Sequence, residues 1–328
     1  MEKFKDNMKK RAVIVLLVLV VFIISCQNYN NGASSRGYYK YTGPSGLEAN
    51  FVKDAPVSSE QEYYEPGELI DVEVELANKG TRVILPNSVR LRLTGDAIIP
   101  NFFVGAKEVL FPLALDSLDE ETGNVDTRIV DLGPLRYISD VTSRRSKVIT
   151  GQYCYYIPTV VQTRIVLNDK YESIPTQTIG GKYGFGGQTT NQNNIQAGDN
   201  PPSGVQITSL SQEIVKIREG DRYGTMKFKF TIENIGSGHI VDNLASCWDY
   251  EKRRRETVSF IVKGPYPIVC EEGTVVLRDG KRTIDCTMTN IDPTNLGFVP
   301  RDLIIILDNY AYLEEIPAVT IYLDKPYS

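Results

Sequence analysis

The stretches DVEVELANKG, Asp71 to Gly80, and KFKFTIENIG, Lys227 to Gly236, decide the fold. Both alternate apolar and polar residues with period two, and Val72, Val74 and Leu76 correspond to Phe228, Phe230 and Ile232. A strand patterned in this way buries one face and wets the other. Each then closes on Asn-x-Gly, with Asn78 and Gly80 matching Asn234 and Gly236 at an offset of 156 residues. Asn and Gly tolerate left-handed backbone conformations that branched residues do not, so the motif reads as a turn. A second match follows in order. YCYYIPTVVQTRIVL from Tyr153 corresponds to YAYLEEIPAVTIYL from Tyr310, with a two-residue slip before Ile157-Pro158 and Ile316-Pro317. Two ordered matches at nearly one spacing imply two copies of one unit.

Outward from these anchors, SVRLRLTG, TRIVDLG, TVSFIVKG, DLIIILDNY and AVTIYL are further strand candidates, while long amphipathic helices are scarce. Many short strands separated by turn signals predict an all-β chain of two tandem antiparallel β-sandwich domains. Each copy is expected to end in a hairpin whose last strand is rich in Val, Ile and Thr. Residues 46–175 hold the first domain and 205–328 the second. Between them, 176–204 is dominated by Gly, Gln and Asn and reads as a linker. Its GGKYGFGG lacks the preceding strand and following helix that a phosphate-binding loop needs.

GLEANFVKDAPVSSEQEYYEPGELIDVEVELANKG, with its apolar strand, Pro-Gly turn, alternating strand and Asn-x-Gly, resembles the opening of CARDB-type immunoglobulin-like domains. VQITSLSQEIVKIREGDRYGTMKFKFTIENIGSG repeats the pattern. The resemblance implies immunoglobulin-like sandwiches of bacterial or archaeal surface proteins, used for adhesion, spacing and assembly rather than catalysis. It carries no catalytic set. The length of the region from Ala106 to Arg145 departs from a minimal domain of this kind.

The N-terminus points to the same compartment. Lys3, Lys5, Lys9, Lys10 and Arg11 precede the thirteen apolar residues Ala12 to Ile24, as in a signal peptide. As a helix that run spans about 20 Å, short of a bilayer core of about 30 Å. It ends in Ile23-Ile24-Ser25-Cys26, which resembles a lipobox. That resemblance makes 1–25 a leader, Cys26 the lipidated first residue and 26–45 a tether, with an uncleaved anchor helix as the alternative. Both place the rest outside the membrane.

A formal charge of -5 gives no basic stripe for nucleic acid, and the lone run KRRR at 252–255 reads as a solvated loop tip. Beyond Cys26, four cysteines remain, an even number suited to disulfides in an oxidising compartment. Asp279-Gly280 reads as a two-residue hairpin turn, which sets Cys286 opposite Gly273 with Cys270 just beyond. Cys270 and Cys286 are therefore the favoured pair. Cys154 and Cys247 either pair or stay free, a bridge between the two domains being the less favoured outcome.

No active site is legible. His239 is the only histidine, with Ser237 and Asp242 near it only in sequence. Structural zinc would need more ligands at short spacings. The acidic stretch DSLDEETGNVD offers Asp116, Asp119, Glu120, Glu121, Asn124 and Asp126, oxygen donors suited to Ca2+ in an irregular loop, and no other cofactor is expected. These readings converge on a non-enzymatic surface lipoprotein on the outer face of the cell membrane. Its partners would be the membrane, through lipid or anchor, and another surface protein or glycan, with self-assembly through edge strands. The competing expectation is a secreted glycan-active enzyme or carbohydrate-binding module.

Overall fold

The computed structural model describes residues 43–138, 143–169, 176–178, 182–184, 192–193, 200–249, 256–297 and 300–324. The leader, Cys26, most of the tether, most of the linker and the KRRR run lie outside the described residues. Those described form an all-β chain without an α-helix, and every ladder between named strands is antiparallel.

The first sandwich sets β1 (Leu47–Phe51), β3 (Glu73–Asn78) and β7 (Asp126–Asp131), in the order β1-β3-β7, against a five-stranded sheet. That sheet runs β16 (His239–Val241), β22 (Ala311–Leu323), β9 (Arg145–Tyr155), β4 (Val89–Gly95), β6 (Glu108–Leu110). A small sheet of β2 (Leu69–Ile70), β8 (Leu135–Tyr137) and β5 (Phe103–Val104) closes one end. The second sandwich has β13 (Gln192–Asn193), β14 (Val205–Gln212), β15 (Gly224–Asn234), β20 (Lys281–Ile291) and β18 (Ile268–Cys270) in one sheet. Facing it are β10 (Thr159–Val166), β21 (Pro300–Asp308), β17 (Thr257–Lys263) and β19 (Thr274–Val276). A separate hairpin pairs β11 (Thr176–Thr178) with β12 (Lys182–Gly184).

Period-two patterning makes these layers. On β15 Met226, Phe228, Phe230 and Ile232 are buried, and on β3 Val74 and Leu76 are, while the intervening residues face outward. Each buried phenylalanine contributes about 2–3 kcal/mol by leaving water, and Phe230 meets Phe260 of β17 edge-on at 5.4 Å between centroids. One continuous core runs through both sandwiches.

That continuity reflects a topology the sequence reading did not anticipate. The expected closing hairpins do not form. After β9 the chain leaves the first sandwich, and β10 pairs with β21 of the second, Thr159 opposite Leu307 and Val166 opposite Pro300. After β21 the chain returns, and β22 pairs with β9, Tyr312 opposite Tyr155 and Leu323 opposite Arg145. The copies thus exchange their last strands. Pro158 has no N–H to extend the β9 ladder. At the return, Asn309 takes the left-handed conformation, φ 54°, and the buried Tyr310 hydroxyl lies 2.8 Å from Thr159 Oγ1, fixing the crossing point.

The disulfides also depart in part from expectation. Cys270 joins Cys286, but the two are direct cross-strand partners on β18 and β20, so Gly273 is not opposite Cys286. Asp279 and Gly280 do take positive φ, 52° and 74°, yet β19 beyond them pairs with β17 in the opposite sheet. Of the two outcomes left open for Cys154 and Cys247 the structure shows the pair, and the bridge links the two copies, the less favoured arrangement. Strand exchange brings them together, because β16 and the segment after it follow β22 into the first sandwich.

Asn-x-Gly works by a different mechanism from the one expected. None of Asn78, Gly80, Asn234 and Gly236 has positive φ. Asn78 is fully buried and its amide donates to the carbonyls of Arg82, Leu115 and Asp116 at 2.8–3.1 Å, while its Oδ1 accepts from Gly80 N. The side chain ties down loops, and glycine follows because the space is full.

Candidate functional site

A set of buried hydrogen bonds and ring contacts gathers at the crossing, on the two faces of the β9–β22 ladder. On the inner face Tyr155 stands opposite Tyr312 and Tyr153 opposite Glu314. The Tyr153 ring stacks on Tyr155, and Tyr155 meets Tyr312 edge-on. Tyr153 Oη lies 2.7 Å from Glu314 Oε2 and 3.0 Å from the Leu47 carbonyl of β1. Tyr312 Oη donates to Asn234 Oδ1 at 2.8 Å and accepts from Gly238 N at 3.1 Å. The repeat motif of the second copy is therefore read by the tyrosine at the start of β22. A Cβ at Gly204 or Gly236 would overlap Tyr312, and one at Gly238 would overlap the Leu313 carbonyl, so these three glycines form the cradle.

Burial governs the electrostatics here. Glu314 is 8% exposed, and desolvation pushes its carboxyl above the usual range although hydrogen bonds from Tyr153, Tyr155 and Ser45 oppose the shift. Desolvation and then the charge of Glu314 push the Tyr153, Tyr155 and Tyr312 hydroxyls up, so they stay protonated as donors. Nearby, burial and then a hydrogen bond to Asp308 push Tyr156 up to about 12.

On the outer face of the same sheet, Cys154, Cys247, Val241, Ala311 and Leu313 form a small second core, with Trp248 packed on it. The Arg92 guanidinium sits 4.2 Å from the Trp248 ring centroid, and Arg90 reaches the Leu244 carbonyl while pairing with Glu108. Burial raises Glu108, but Trp248 and Arg90 together hold its carboxyl below the usual range. Sequence reasoning missed this cluster, although the adjacency of Cys247 and the chain's only tryptophan was a visible signal.

The sequence-predicted residues are placed elsewhere. In the acidic loop Asp119 accepts from Glu121 N, Thr122 N and Thr122 Oγ1, and Asp126 accepts from Asp116 N and pairs with Arg128 at 3.1 Å. Asp116, Asp119, Glu120, Asn124 and Asp126 are not gathered as a ligand set, and among the described residues no group of three His, Cys, Asp or Glu side chains is positioned to hold a metal. Exposed His239 on β16 lies within electrostatic reach of Glu256, and Ser237 is likewise exposed. A small cleft at the junction is lined by Arg82, Ile157, Pro158, Thr159, Pro201 and Pro202, with one cationic group and no carboxylate.

No family model matches the chain, and no curated protein matches it. Among solved structures it has a likeness to a partial N-terminal region of an enterococcal surface protein, at 10% identity, covering 91% of this chain and 97% of that one, with a TM-score of 0.18. A DUF4466 family protein from Parabacteroides merdae shows 8% identity over 81% and 99% of the two chains, with a TM-score of 0.14. At such TM-scores neither carries weight for fold or function.

Proposed function

We propose that this chain is a non-catalytic protein of the outer membrane face, anchored at its N-terminus through Cys26 or an uncleaved leader, that binds another surface protein or glycan in adhesion or envelope architecture. The observation that carries the reading is the interlocked, doubly disulfide-bridged all-β body. Two bridges suit an oxidising compartment. Polar groups at the crossing are engaged in mutual hydrogen bonds, as in a structural lock. Tandem CARDB-type domains would serve such a role through surfaces and strand edges. Among the described residues no helix is long and apolar enough to cross a membrane; the apolar run Ala12 to Ile24 with Cys26 after it supports anchoring at the N-terminus.

The test is the intact mass of protein extracted from membranes, with protease treatment of whole cells alongside. The expected result is a chain beginning at Cys26 and carrying lipid, or a retained leader in the membrane fraction, accessible from outside. A full-length, soluble cytosolic protein with free thiols would refute the proposal.

A further inference from the structure

The two copies differ at one sheet edge. In the second, β20 pairs with β15, and its other side is occupied by β18, clamped through Cys270–Cys286. In the first, β7 stands in the same relation to β3, but among the described residues no strand lies beyond it. The phase of the ladder shows what this edge offers. Leu132 N donates to the Val72 carbonyl at 2.8 Å, so residues 126, 128 and 130 bond to β3. By antiparallel alternation Thr127, Ile129 and Asp131 turn their N–H and C=O groups outward. Ile129 is 58% exposed.

Charge identifies what would fit there. Glu73 faces Asp131 directly across β3 and β7, and Glu75 faces Ile129 in the next row. At the equivalent row of the second copy Lys229 faces Asp285, with Nζ 2.8 Å from Oδ1. Like charges directly opposite one another are destabilising, and a cation added beside them reverses the sign. Among the described residues the first copy therefore lacks both a counterpart of β18 beyond this edge and the cation that the second has in this row.

We propose that β7 is an acceptor edge for an extended strand of a partner protein. That strand would run antiparallel, with an apolar residue opposite Ile129 and a Lys or Arg two positions along, opposite Asp131. The inference rests on the binding role proposed above and names its surface. Main-chain hydrogen bonds to residues 127, 129 and 131 supply affinity, and the anionic Glu73–Asp131 row supplies selectivity.

The probe is the peptide Thr-Lys-Thr-Val-Thr-Lys-Thr, whose symmetry makes strand direction immaterial, titrated against the full chain in detergent. The control replaces both lysines by glutamate. Binding of the lysine peptide about tenfold tighter than the control is expected. Ile129→Pro removes one outward N–H without touching the β3 ladder, and should weaken binding about tenfold while leaving the unfolding midpoint in place. Thr127→Pro serves as the second such variant. Glu73→Lys rebuilds the pair seen at Lys229–Asp285 and should weaken binding about threefold. Equal affinity for the two peptides, or indifference to both proline variants, would overturn the assignment. So would self-association abolished by Ile129→Pro, which would make the occupant a second copy of this chain. A chain that is anchored outside the cell yet ignores the probe refutes only the edge assignment; a cytosolic chain refutes the wider role.

Discussion

The two Ile-Pro dipeptides occupy equivalent places in the repeat and behave in opposite ways. At Ile157-Pro158 strand pairing stops and the chain crosses to the other sandwich. At Ile316-Pro317 the strand continues, and β22 absorbs the proline as a register shift between Ile316 and Val319. The same residues thus end one strand and only bend another. What differs is the neighbour: β22 lies between β9 and β16, whereas β10 leaves β9 to meet β21. Duplication supplied two similar units, and exchange of their last strands made each dependent on the other.

That dependence is open to measurement. The largest effect is expected from the disulfides, which separate the copies by role. Removing Cys154–Cys247, whose ends are 93 residues apart, frees a long loop and should cost about 4–5 kcal/mol; removing Cys270–Cys286, 16 residues apart, should cost about 3 kcal/mol. Guanidinium unfolding of the paired alanine variants checks this, and equal losses would contradict the view that the first bridge holds the halves together.

The matched glycines come next. Gly236→Ala drives a methyl group into the Tyr312 hydroxyl and should cost about 3 kcal/mol, whereas Gly80→Ala meets Asn78 Oδ1 and Ile157 Cδ1 at 3.1 Å and should cost about 1 kcal/mol. Adding Tyr312→Phe should recover part of the first loss and none of the second. If the two glycine variants lose the same stability, the distinction between a tyrosine cradle and a loop tie collapses.

The smallest effect concerns pH. Glu314 has a folded pKa above its unfolded value, so its ionised form costs stability above the folded pKa, and that cost fades as pH falls through it. Glu314→Gln keeps the shape without the charge. It should be more stable than the parent at neutral pH and should lose this advantage as the solution is acidified. A variant less stable than the parent at pH 7 would show that the carboxylate's hydrogen bonds to Tyr153 and Tyr155 outweigh its burial.

Strands were legible wherever one face is buried. SVRLRLTG, TRIVDLG, TVSFIVKG and DLIIILDNY each contain a strand, because a period-two pattern reports burial directly. The antiparallel all-β fold followed from their number and spacing. The Asn-x-Gly motif was visible as a landmark, but its cause was not, since Asn78 reaches Leu115 and Asp116 nearly forty positions away. The place of Trp248 is not written in local pattern, because its stacking on Arg92 joins residues from different copies.

By itself the sequence determined strand identity, the internal repeat and the apolar run Ala12 to Ile24, all of which are written in local alternation and composition. Only the tertiary structure decided which strand pairs with which, and hence that Cys154 meets Cys247 and that β7 has no neighbour beyond it among the described residues. The physical reason is that alternation marks the face a strand will bury and says nothing about its lateral neighbour. Hydrogen-bonding edges are chemically alike along any backbone, so partners are chosen by chain connection, by Pro158 and Asn309 at the crossings, and by the tyrosines that fill the junction.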